Sequence, residues 1–159
     1  MGIHFECVTD IAATVQTVFD LSLDIDAHLD SMAGSLEKAV DGVTSGRIGL
    51  GEQVTWKARH FGVVWTMTST ITEMEVPDRF VDEQLRGPFH AFRHEHLFEQ
   101  HDGGTRMTDS ITFEAPLGPI GRIAESAVLG RYLPKLIAER NAFLKRSAET
   151  PEGGSPDGG

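Results

Sequence analysis

Between Glu52 and Ala115 the chain passes through five consecutive segments, 52–61, 63–76, 80–86, 91–100 and 106–115, each rich in β-branched and aromatic residues. Each is bounded by Gly, Pro or Asp, which interrupt strands and favour turns. Links as short as Pro77-Asp78 and Asp102-Gly103-Gly104 imply antiparallel hairpins, because a parallel pair needs a crossover of about a dozen residues or more. No βαβ spacing occurs, so a doubly wound nucleotide-binding sheet is not expected.

The flanks complete the pattern. Residues 3–8, Ile-His-Phe-Glu-Cys-Val, alternate as a strand, and 36–44 suits another before the turn-rich stretch 44–51. Thr9, Asp10 and Thr14 are good helix caps ahead of the apolar stripe Val15, Val18, Phe19, Leu21 and Leu23, and Asp24 to Ala33 reads as a second short helix. From Gly118 to Ala148, the residues Ile123, Ala127, Leu133, Leu136, Ile137, Ala142 and Leu144 recur at helical spacing. Pro134 falls inside this run and predicts a kink or break. The fold class is therefore α+β: a curved seven-stranded antiparallel sheet, two short helices after the first strand, and one long C-terminal helix lying across the sheet. A bent sheet and a straight helix need not touch everywhere, and the gap between them is a natural pocket. One domain over 1–148 is expected, with 149–159 a disordered tail whose last ten residues contain no apolar side chain.

Composition narrows the function. A length of 159 residues suits a single core, and 40% hydrophobic with 24% charged residues is an ordinary globular balance. A formal charge of −10 argues against nucleic acid and against anionic membranes. No run approaches the roughly 18 apolar residues of a membrane span. The N-terminus lacks the features of a signal peptide or a myristoylation site, so a cytoplasmic location is expected. With Cys7 the one cysteine, no intramolecular disulfide or cysteine-based metal site can form, and Cys7 is expected as a small buried hydrophobe. Gly118, Gly121 and Gly130 lack the context of a phosphate loop, and no cofactor is expected.

Several stretches carry a family likeness: Glu52-Gln-Val-Thr-Trp56, Phe61-Gly62, Gly87-Pro-Phe89, His94-Glu-His96-Leu-Phe98, Gly104-Thr-Arg-Met-Thr-Asp109 and Pro116-Leu-Gly118. With the order of elements from Ile3 to about Arg146, they resemble the Bet v 1/START-like SRPBCC superfamily, in particular its bacterial polyketide cyclase/dehydrase-like and ligand-binding members. The resemblance implies a helix-grip fold around a deep hydrophobic cavity. Members bind lipids, sterols, hormones or polyketides, and a minority catalyse cyclisation or dehydration. No catalytic motif is shared across the superfamily, so none is carried over.

Strand alternation assigns faces. Arg93, Glu95 and Glu99 should meet water, which turns Phe92, His94, His96 and Phe98 inward. In the next strand Met107, Asp109, Ile111 and Phe113 share a face, so Asp109 sits unusually on the apolar side. A turn centred on Asp102-Gly103 sets His96 opposite Asp109. A turn centred on Gly103-Gly104 sets Phe98 there, with His96 diagonal. Either register brings a histidine to an inward carboxylate, a pairing that would raise the imidazole pKa. The plainer reading is a buried pair that satisfies itself and fixes register. The functional one is a proton-transfer site with His96 as base or acid, Asp109 orienting it and His94 assisting. Metal binding by His94 and His96 finds no third inward ligand and is not expected.

Trp56, Trp65, Met67, Phe80, Phe89, Phe92, Phe98, Met107 and Ile111 on the strands, with Leu133, Leu136 and Ile137 on the helix, are the expected cavity wall, and a cavity wall is also core. Phe89 in the Gly87-Pro-Phe89 loop is a candidate portal gate, against a plain turn. Arg59 and His60 are expected to be solvated, and Arg140-Asn141 to have a solvated or capping role, the alternatives being to pair with an acidic strand residue or to touch the pocket. Three functions follow: a carrier of a small hydrophobic ligand, a cyclase/dehydrase-type enzyme, or an interaction protein. The oligomeric state is left open between monomer and homodimer.

Overall fold

The computed structural model describes residues 2–32, 36–60, 62–115 and 130–150. In chain order the elements are β1 (Ile3–Ile11), α1 (Val15–Ser22), α2 (Ile25–Ser31), β2 (Lys38–Gly42), β3 (Gln53–His60), β4 (Val63–Glu75), β5 (Arg79–Arg86), β6 (Ala91–His101), β7 (Gly104–Glu114) and α3 (Gly130–Glu149). The strands form one seven-stranded antiparallel sheet in the order β1-β7-β6-β5-β4-β3-β2. Consecutive hairpins build β3 to β7. β1 then closes on the last strand, from Ile3 opposite Phe113 to Ile11 opposite Thr105. β2 occupies the far edge, so α1 and α2 carry the chain from one edge of the sheet to the other. Register shifts in β2 at Ala39/Asp41 and in β4 at Thr68/Ser69 and Ile71/Glu73 add local twist, which curls the sheet toward its inner face.

Local chemistry explains where the helices start. Thr9 and Asp10, good caps in isolation, remain in β1 because they pair with Met107 and Arg106, and the Asp10 carboxylate takes a 2.9 Å hydrogen bond from Arg106. Thr14 is the cap instead: its hydroxyl accepts from the Thr17 N–H at 3.2 Å. Asp24 caps α2 in the same way, accepting from Ala27. Phe19 drives α1 onto the sheet, meeting Phe98 and Phe80 edge-on with centroids 5.4 and 5.7 Å away. Burying a side chain of this size contributes about 2–3 kcal/mol.

α3 packs against β1, α1 and α2. Its C-terminal end is tied down: Lys145 donates to the Asp10 carbonyl, and Glu149 accepts from the Ala12 N–H. The break expected at Pro134 does not occur, and α3 runs through it. Proline at this point removes one intrahelical bond, to the Gly130 carbonyl in the outermost described turn, while the rest of the helix is held by packing. Glu149, assigned above to the tail, is the last residue of α3. The expected helix start near Gly118 and the tail beyond 150 lie outside the described residues. Among those described, no helix is long and apolar enough to cross a membrane.

Candidate functional site

β5 and β6 run side by side with Phe80 opposite His96 and Asp82 opposite His94, and β6 sets His96 opposite Asp109 of β7. The last pairing is the register of a turn centred on Asp102-Gly103, with Gln100 opposite Thr105. All these side chains fall on the inner face, because residues two apart on a strand point the same way.

The bonds nevertheless run diagonally. His94 Nε2 donates to Asp109 Oδ1 at 2.6 Å, and His96 Nε2 donates to Asp82 Oδ2 at 2.6 Å. Stacking explains the crossing. The His96 ring lies face to face between Phe80, at 4.0 Å, and His94, at 3.7 Å, which directs its edges sideways along the sheet. His96 Nδ1 is buried 3.3 Å from Asp109 Oδ1, out of line for a hydrogen bond. From α3, Arg140 Nη1 reaches Asp109 Oδ1 at 3.3 Å and Asn141 Nδ2 donates to Oδ2 at 2.7 Å. Arg140 and Asn141 are thus buried, contrary to the solvated or capping role expected, and add a positive charge and a hydrogen bond to the fully buried Asp109 carboxylate. Asn141 also contacts Cys7, which is half-buried.

The charges settle accordingly. Burial opposes the Asp109 carboxylate, but the hydrogen bond from His94, the adjacent His96 imidazole and the charge of Arg140 overcome it and hold its pKa well below the usual range. Asp82 is lowered too, its bond from His96 outweighing burial. Burial likewise disfavours charge on His96, yet two flanking carboxylates raise its pKa. For His94 the expected rise is reversed: burial, with the like charge of His96, pushes it down to about 4. Two carboxylates against one guanidinium leave one negative charge, which a single proton on His96 cancels.

The cluster lies at one end of an apolar cavity of about 460 Å³ between the sheet and α3. Trp56, Trp65, Met67 and Phe80 line it from the strands, and Phe89 and Phe92 from the loop and strand beyond. Leu133, Leu136 and Ile137 close it from α3. Phe89 packs on Phe92 and Phe113 at 5.1 and 5.6 Å. Phe98, Met107 and Ile111 are a correction: they are inward and buried but do not line the cavity. Phe98 and Met107 belong to the core under Phe19 and Leu144. Ile111 is completely buried, on the β7 face that carries Asp109. His60 is also placed otherwise than expected: it is half-buried on the cavity wall, bonded to the Tyr132 hydroxyl, and burial lowers its pKa. Arg59 is exposed, as expected.

Asp82 is the member of the cluster that the sequence reading passed over. Its signal was available, since Asp82 is two residues from Phe80 on the same strand. Its side chain is 21% exposed, against 3% for His96 and 0% for Asp109. The tip of the chain Asp82–His96–Asp109 is therefore Asp82. His96, with a carboxylate at each nitrogen and a ring on each face, is placed to hold and orient, which changes the role assigned to it from sequence. Asp82, His94 and His96 also place potential metal-binding atoms within 4.8 Å of one another, supplying the third group that the two histidines lacked. The two imidazoles are stacked, however, so their lone pairs lie in parallel planes and do not converge on one point.

Residues 2–149 match the family described as polyketide cyclase / dehydrase and lipid transport. Among curated proteins none matches the chain. Solved structures with a similar fold include TTHA0849 from Thermus thermophilus, with a TM-score of 0.72 and 16% identity over 92% of this chain and 99% of that one. The Zhui aromatase/cyclase from a Streptomyces species gives a TM-score of 0.69 and 16% identity over 98% and 100% of the two chains. The ginseng major latex-like protein 151 from Panax ginseng gives 0.66 and 12% identity over 95% and 99%. At these identities the likeness concerns the fold.

Proposed function

Because the chain belongs to the polyketide cyclase / dehydrase and lipid transport family, we propose that it binds one small, predominantly apolar molecule between the sheet and α3, with an oxygen of that molecule accepting from Arg140 beside Asp82. The observation that carries this reading is the cavity of about 460 Å³ in which apolar walls meet the cluster of Asp82, His94, His96 and Arg140. Small-molecule sites commonly combine these features: apolar area supplies affinity and a few fixed polar groups supply orientation. Both tryptophans of the chain, Trp56 and Trp65, line the cavity, so occupancy should be visible in intrinsic fluorescence. Titration with 4-hydroxyazobenzene, which absorbs where tryptophan emits, should give saturable quenching at one equivalent. Quenching that never saturates would sink the proposal.

A second reading is favoured by the exposure of Asp82 at the end of the chain through His96. Asp82 would take a proton α to a bound carbonyl, Arg140 would face the oxygen on which charge develops, and Asp82 would return that proton to a β-hydroxyl as its C–O bond breaks, releasing water and leaving the α,β-double bond. Deuterium exchange at the α-carbon of 2-tetralone, followed by NMR, tests this step. The wild type should exceed the buffer rate and Asp82→Asn should not. Exchange at the buffer rate in both would remove the enzymatic reading and leave the binding one standing.

A further inference from the structure

The cavity has a second polar end, which the binding reading leaves unused. His28 on α2, Glu37 just ahead of β2, His60 at the end of β3 and Tyr132 in the first described turn of α3 all line it. They form two pairs. His28 Nε2 lies 2.8 Å from Glu37 Oε1, and His60 Nδ1 is bonded to the Tyr132 hydroxyl. The His28 ring rests against the Trp56 indole, centroids 4.3 Å apart, which fixes the first pair to the apolar wall. Only 8% of the Glu37 side chain is exposed. A carboxylate has about four acceptor positions, and His28 uses one. Glu37 therefore offers further acceptor positions to a ligand lying against the apolar wall.

Two independent rulers give the distance between the ends. Tyr132 and Arg140 are a little over two turns apart on α3, about 12 Å along its axis. β3, which carries His60, and β6, which carries His94 and His96, are three strand spacings apart in the sheet, about 14 Å. The ends also differ in kind. Arg140 presents a guanidinium, which only donates, whereas Glu37 presents a carboxylate, which only accepts.

Resting on the binding reading above, we infer that the ligand is elongated and apolar with an oxygen function at each end: a carbonyl or phenolic oxygen accepting at Arg140, and a hydroxyl donating at Glu37. A molecule with one polar head and an alkyl tail fits less well. Its tail would lie against Glu37, removing water from a carboxylate without replacing the hydrogen bond. The two-ended ligand meets both requirements at once.

The test is a series with one body and zero, one or two terminal hydroxyls: azobenzene, 4-hydroxyazobenzene and 4,4′-dihydroxyazobenzene, read by tryptophan quenching. The second hydroxyl should tighten binding about tenfold or more, the worth of a hydrogen bond to a charged group. In Glu37→Leu the ratio between the dihydroxy and monohydroxy compounds should collapse to about one. Glu37→Gln, which keeps the shape, should reduce it several-fold. Dodecanoic acid should compete poorly with the dihydroxy probe. A ratio near one in the wild type, with saturable binding of the monohydroxy compound, overturns the two-ended ligand and leaves the binding reading intact. Competition by dodecanoic acid at comparable affinity also overturns it. Quenching by none of the three dyes overturns both.

Discussion

Two imidazoles stacked 3.7 Å apart contend for one proton, and their surroundings decide which holds it. His96 has a carboxylate at each nitrogen, whereas His94 bonds to one and is otherwise buried beside a charged neighbour. The consequence can be measured as stability against pH. In the unfolded chain both titrate near 6.5. His96 has a raised folded pKa, so its contribution is complete below that value and fades as pH rises through the folded one. His94 has a folded pKa of about 4, so below 6.5 the unfolded chain binds a proton that the native state refuses. That penalty grows to about 3 kcal/mol as pH approaches 4. The slopes oppose each other around 6.5, and urea midpoints should peak there. His94→Gln should flatten the acid limb and keep the alkaline one. A midpoint that climbs steadily from pH 5 to 9 would contradict the assignment. Some of this site was legible in the sequence: alternation alone set Asp109 among apolar neighbours and brought a histidine to it. Asp82 was equally accessible to that rule through Phe80. Arg140 and Asn141 sit in the stripe Leu133, Ile137, Leu144, so helical spacing marked them as inward too. What alternation does not encode is ring stacking, and stacking turned the opposed pairs into diagonal ones.

At the scale of elements, the run from β3 to β7 was readable because a period of two and frequent turn residues leave few alternatives. The start of α1 was not, because Thr9, Asp10 and Thr14 are equivalent caps until β7 claims the first two as strand partners. Continuity through Pro134 was hidden for a similar reason, since helix-breaking strength is local and the packing that opposes it is not. The β2 edge shows the same dependence on tertiary context. Gly42 has φ of +74°, and a Cβ there would lie 2.2 Å from the Gln53 carbonyl oxygen, the acceptor for the Val43 N–H. Gly42→Ala should therefore cost about 2–4 kcal/mol, combining left-handed backbone strain with a backbone clash. Hydrogen exchange should show Val43 losing protection before the centre of the sheet does. Because Glu37 leads directly into β2, the same variant should weaken the dihydroxy probe more than the monohydroxy one. Protection at Val43 equal to wild type would mean that the edge has another way to accommodate the methyl group.

At the scale of the molecule, the sheet does two jobs with one face. Toward α1 it is filled, with Phe19, Phe80, Phe98, Met107 and Leu144 packed together. Toward the middle of α3 it stays open, and a cavity forgoes contacts at roughly 24 cal/mol per Å³ relative to filled core. A chain selected only for stability would be expected to close such a space, so filling it should separate folding from binding. Ala58 is the position for this test. It is small, inward-facing on β3, buried, and on the cavity wall. Ala58→Phe places a ring in the open volume. The stability of the free protein should hold or rise, by up to about 2 kcal/mol, and its thermal midpoint with it, as lost contacts are restored. Affinity for 4-hydroxyazobenzene should fall at least about tenfold, and the ligand-induced rise in midpoint should shrink with it, because that rise reports binding to the native state alone. The opposite pattern would be equally informative. A fall of about 1–3 kcal/mol with probe affinity unchanged is the signature of overpacking. It would place Ala58 in closed core and the bound dye elsewhere on the protein.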